Sequence, residues 1–189
     1  MENTNQKFIE LIKKRSEENN KAIKMLFDQS LIGNCLSILR QELDSFIRII
    51  YLGRLSDFID RERLMQQTLN DEKWTLLTSN NKWRQITDRD MIEKSTQIKG
   101  YIKYVYKFGC AFIHLSNFHN YKEENPFNKL NSFEKNDVKK YLNQYHSFPI
   151  ENELTVENIS NYVICIFDKI SGNMSCYYDE ILQNKMIEL

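Results

Sequence analysis

Turn-forming residues are scarce in this chain, which has five glycines and two prolines among 189 residues. A β-sandwich or barrel needs turn signals about every 8–12 positions, so the scarcity excludes those architectures and predicts an all-α fold. Net charge is also absent, because 26 basic residues balance 26 acidic ones. No overall field therefore draws the protein to nucleic acid or anionic lipid, although a local basic patch can still form. The four cysteines, Cys35, Cys110, Cys165 and Cys176, form no CxxC pair. That excludes a disulfide framework or zinc ribbon and predicts small buried side chains in a reducing compartment.

Catalytic signatures are missing too. There is no glycine-rich phosphate loop, no HExxH and no GxSxG, which removes the commonest nucleotide-, zinc- and serine-dependent enzymes. The amino-terminal residues MENTNQKFIELIKKRSEENN lack the basic start and apolar run of a signal peptide. No stretch approaches the roughly 20 uncharged apolar residues of a membrane span. The expectation is a cytoplasmic protein with no membrane contact.

What the sequence does hold is helical periodicity, in a length and hydrophobic content (41%) that suit one domain over residues 1–189. Phe8, Ile12, Ile23, Leu26 and Phe27 mark an amphipathic helix near 3–29, polar in its middle around Arg15 to Lys21, that leaves the body of the domain at its start. Ser30 is placed to cap a second helix running to about 68, with Leu36, Leu39, Leu43, Phe46, Ile47 and Ile50 as its apolar stripe. Residues 70–88 read as a connecting excursion with room for a short helix, its Trp74 and Trp83 pinned to the core. Thr87 with Asp90 caps a helix through 121. Pro126 marks a loop, a shorter helix spans about 133–146, and Thr155 caps a last helix to about 186. The expected architecture is an up-and-down bundle of four to five main helices.

The stretch from Ser95 to Tyr121 holds two of the three histidines. As a helix it puts Tyr101, Tyr104, Val105, Phe108, Phe112, Leu115 and His119 on one side, making His119 a packed core histidine. His114 falls opposite, in line with Lys103, Lys107, Cys110 and Tyr121. An imidazole beside lysines suits an anionic ligand, since lysine holds a phosphate while histidine moves a proton near neutrality. A solvated face explains the same pattern equally well. His146 reads as a surface or capping residue at a helix end. On the second helix Arg40 and Asp44 are spaced to pair along the helix, either as an ordinary ion pair or as the electrostatic frame of a site.

The segments CLSILRQELDSFIRIIYL and YVYKFGCAFIHLS together resemble the HEPN-like helical proteins of bacteria. In several of those groups an arginine has an acidic residue four later on one helix, and a tyrosine stands eight before a histidine on another. The matching residues here are Arg40, Asp44, Tyr106 and His114, and the resemblance covers roughly Ser30 to Ser116. It implies a helical homodimer acting in a toxin–antitoxin or antiviral defence system, either as a metal-independent ribonuclease needing no cofactor or as an RNA-binding component. His114 would be the acid–base group, with Lys107 or Arg40 beside the scissile phosphate. Asp44 would orient Arg40, and Lys103 and Tyr106 would bind substrate. An antitoxin or other protein is the implied partner. The chain departs from the nuclease signature of that family, which has arginine four to six residues before the histidine; here Lys107 stands in that place. A non-catalytic helical interaction or dimerisation module is the alternative.

Overall fold

The computed structural model describes residues 3–97, 100–114 and 117–187, without the side chains of residues 107, 108, 111, 117 and 118. It is all-α apart from one hairpin. Helix α1 (Thr4–Asp28) starts on a capping box in which the Asn3 and Gln6 side chains each bond the other's backbone N–H. Its start does not leave the body, since Asn5, Phe8 and Ile9 are buried and Asn5 Nδ2 donates to the Ile181 carbonyl at 2.9 Å, and the polar Ser16 and Asn19 of its middle are buried too.

Helix α2 (Ile32–Gly53) is the hub, packing on α1 and on the helices at Phe58–Leu69, Asp88–Thr96, Ile102–Ile113, Val163–Ser175 and Tyr178–Leu182. The reason is local: Ile49, Ile50, Tyr51 and Leu52 are consecutive apolar residues, all buried. A turn apolar on every side has no solvent face to offer and settles at the centre. The helix is therefore a central rod rather than one of several equal bundle members.

The expected 30–68 helix is two. α2 stops at Gly53, and α3 (Phe58–Leu69) begins on Asp57, whose carboxylate accepts from the Ile59 and Asp60 amides. Ser30 is not a cap; it takes a left-handed φ of 57°, and α2 starts without a side-chain cap. The break is sealed by Arg61, only 1% exposed, which donates to the carbonyls of Leu55 and Lys185 at 2.7 Å and Gly53 at 3.3 Å. Those acceptors include the orphan carbonyls of a helix end.

The 70–88 excursion is an antiparallel hairpin, β1 (Thr75–Leu77) and β2 (Trp83–Gln85). Trp74 is buried at 3% exposure against Tyr51, and Trp83 is 58% exposed, so only the first tryptophan pins the connection. Helix α4 (Asp88–Thr96) starts on the Thr87/Asp90 capping box as read from the sequence. The expected helix to 121 is divided into α4, α5 (Ile102–Ile113) and a 3-10 turn at Asn117–Asn120. Helix α6 (Ser132–His146) starts on Asn131 and closes with Ser147 in a left-handed conformation. Thr155 caps α7 (Val156–Ser160), but the last helix is also broken, into α7, α8 (Val163–Ser175) and α9 (Tyr178–Leu182).

Candidate functional site

The polar residues of interest gather where α5 crosses α2. Arg40, Asp44 and Arg48 follow one another at steps of four and share a side of α2. Asp44 receives Arg15 Nη1 at 3.1 Å and Arg48 Nε at 3.3 Å, while Arg40 Nη1 is more distant at 3.9 Å. Asp44 is thus chiefly the partner of Arg15 and Arg48, not the orienter of Arg40 that the sequence suggests.

Arg40 is held by other groups. Its Nη2 meets Asp88 Oδ2 at 3.1 Å, its Nε donates to Cys110 Sγ at 3.3 Å, and its guanidinium carbon lies 3.8 Å from the centre of the Tyr106 ring. The Tyr106 hydroxyl donates to the same Asp88 oxygen at 2.6 Å. Burial, reinforced by that bond, pushes the Tyr106 phenol well above its usual range, so it stays a neutral donor. Arg40 is only 5% exposed, whereas the Asp88 carboxylate that caps it is 49% exposed.

Gly109 explains how α5 comes so near. A Cβ there would lie 2.8 Å from Arg40 Cβ, inside carbon–carbon contact distance. The more open arginines are Arg15 and Arg48, whose side chains are 39% and 26% exposed. Arg48 also lies over the Trp74 ring at 4.8 Å. Three arginines against Asp44 and Asp88 leave one excess positive charge, which makes this rim an anion-attracting surface.

His114 stands apart from that cluster. It is the C-cap of α5, with an extended backbone (φ −96°, ψ 142°), and it is exposed. Its ring makes no hydrogen bond among the described residues. Four residues after Cys110, its Cα is roughly 6 Å further along the helix axis. The Lys107 side chain, like Phe108 and Leu115, lies outside the described residues. Lys103 belongs elsewhere: it is exposed over the Tyr104 ring at 4.6 Å, in a cleft facing α6. Of the residues proposed from sequence, Arg40, Asp44 and Tyr106 come together, whereas His114 and Lys103 do not join them.

Other expectations change in detail. His119 is exposed, its ring tilted against Phe112 at 5.8 Å, because the helix ends before it. Tyr121, expected beside His114, packs instead on Phe112 and Gly33. Cys35 is buried and Cys110 half-buried, but Cys165 and Cys176 are exposed. His146 ends α6 half-buried beside the Tyr141 hydroxyl, and burial together with Lys169 lowers its pKa.

Among the described residues no three His, Cys, Asp or Glu side chains are grouped to hold a metal ion. Among the same residues no helix is long and apolar enough to cross a membrane. Comparison with family models, curated proteins and solved structures gives no match.

Proposed function

We propose that this chain is a HEPN-like RNA-binding protein of a bacterial toxin–antitoxin or antiviral defence system, working in the cytoplasm as a homodimer and paired with an antitoxin or other protein. The observation that supports this reading is the rim of Arg15 and Arg48, half-exposed around Asp44 and backed by Arg40, with a net positive charge. Guanidinium forks in that arrangement suit phosphodiester oxygens. Metal-independent ribonuclease activity is the stronger form of the reading. It requires His114 to reach a phosphate held by the arginines, either within one chain or across a dimer formed on the exposed side of α5.

RNA binding is tested by fluorescence polarisation of a labelled single-stranded RNA across a salt series. Arg15→Ala with Arg48→Ala should weaken binding at least tenfold and reduce the magnitude of the salt slope by about 1.4, the value for two lost phosphate contacts on a single strand. The Arg15→Lys, Arg48→Lys pair should keep most of the slope. Where RNA cleavage in EDTA is measurable, His114→Ala should reduce it by about a hundredfold, as expected for a lost acid–base group.

The second reading, a non-catalytic interaction module, is favoured by one observation. Arg40 is already bonded to Asp88, Cys110 and Tyr106, while His114 sits away from it beside the exposed Ile113. RNA affinity indifferent to both arginine pairs would establish that reading in place of the first.

A further inference from the structure

On the other side of α5 a cleft of about 470 Å³ opens between the start of α5, α6 and α8. This falls within the size range of small-molecule sites. Its wall is aromatic. The buried Tyr101 and Tyr141 rings stack at 4.5 Å and 18°, and Tyr145, 48% exposed, lies tilted by 48° with its ring centre 5.3 Å from that of Tyr141.

Its charge is cationic. Lys103, Lys140 and Lys169 line the cleft against a single carboxylate, Asp137, and the Tyr104 hydroxyl already bonds Asp137. None of the three lysines has a carboxylate within ion-pairing distance among the described residues. Lys169 instead lies 4.0 Å above the Tyr145 ring, and Lys103 lies 4.6 Å above Tyr104. One more donor is available: Tyr101 Oη accepts from Asn173 Nδ2 at 3.1 Å, so its own proton has yet to find an acceptor. Burial pushes the Tyr101 phenol up to about 12, which keeps that proton in place at neutral pH.

We propose that this cleft binds a small planar aromatic anion, its ring laid against the tyrosine stack and its carboxylate or phosphate held by Lys140 and Lys169. A neutral aromatic would leave the lysines without a counter-charge. An aliphatic anion would leave the exposed part of the Tyr145 ring without an aromatic partner. Stacking and cation contacts together select a molecule that has both features. The site is separate from the Arg15 and Arg48 rim and does not depend on the RNA reading.

Isothermal titration calorimetry with three probes tests it: 1-naphthyl phosphate, 1-naphthol, which lacks the charge, and inorganic phosphate, which lacks the ring. The first should bind at least tenfold more tightly than either of the others. The Lys140→Ala, Lys169→Ala double variant should weaken it at least tenfold. Tyr145→Ala should do the same while Tyr145→Phe binds normally, and circular dichroism should show all variants folded. Equal binding of the three probes, or an unaffected lysine variant, overturns the proposal. So does failure of 1-naphthyl phosphate to bind while the lysine variant loses RNA affinity, which would make the cleft part of an RNA surface. The Arg15 and Arg48 variants leave the cleft intact, so the two readings fail separately.

Discussion

Gly109 and Gly172 lie mid-helix in α5 and α8, and alanine at the two positions should act in opposite directions. At Gly109 the new Cβ would stand 2.8 Å from Arg40 Cβ and 3.3 Å from its Cγ and Cδ. Ordinary carbon contacts are about 3.5–4.0 Å, so α5 must retreat from α2 by several tenths of an ångström or more. Arg40 Cβ is fixed to the backbone of the central helix and cannot swing aside. Overpacking of this kind costs about 1–3 kcal/mol, set against about 1 kcal/mol gained by replacing glycine within a helix. At Gly172 nothing lies within 4 Å of the added carbon. Only the helical gain remains, together with reduced freedom of the unfolded chain. For a chain of this length each kcal/mol moves Tm by about 2–4 °C. The net cost at Gly109 is up to about 2 kcal/mol, so scanning calorimetry should show Gly109→Ala melting lower by up to about 8 °C and Gly172→Ala melting higher by about 1–4 °C. Gly109→Ala should melt no higher than the parent, and Gly172→Ala above it. Shifts in the same direction would refute the claim that α5 sits at contact distance over Arg40.

Acid should weaken the fold partly through His146. Its folded pKa is lowered by burial and by Lys169, so the unfolded chain binds the proton more readily, and stability is lost as pH falls below about 6.5. Urea midpoints at pH 7.5 and 5.0 should differ more in the parent than in His146→Gln. Thiol titration with Ellman's reagent at pH 8 should find Cys165 and Cys176 reacting quickly and Cys35 only after denaturation. Burial raises the Cys35 thiol from 9.0 to about 11, and its contribution to stability disappears between those pH values. A reactive Cys35 in the folded protein would contradict the packing of α1 on α2.

The parts of the fold that were legible in the sequence are those set by local chemistry. Thr87 with Asp90, and Thr155, mark helix starts by side-chain bonds to nearby amides, and the structure keeps both. The break between Gly53 and Phe58 was hidden because Leu55, Phe58 and Ile59 continue the apolar run, and because Arg61, which makes the break tolerable, acts on carbonyls of distant residues. The site divides along the same line. Arg40 and Asp44 could be seen from their spacing, and Arg48 continues the same spacing from Asp44. Asp88 and Cys110, the closest polar partners of Arg40, are 48 and 70 residues away and carry no local signal. Arg15 carries no signal of its own, because it opens the polar middle of the first helix among residues as polar as itself. Only α2, lying alongside, shows that it faces Asp44.

Arg61 has a consequence for chain continuity. Its guanidinium ties the end of α2 to Lys185, 124 positions later, and the Ile187 amide returns to Gly53 at 2.9 Å. Elements before the hairpin and elements after α7 are thus parts of one interior. The hairpin tip, Ser79 to Lys82, is exposed. A backbone cut there separates the covalent chain into two pieces but leaves α2 gripped by α5, α8 and the residues Arg61 holds. The protein is in effect a clasp closed far from its hinge, and each piece supplies half of a core that the other completes.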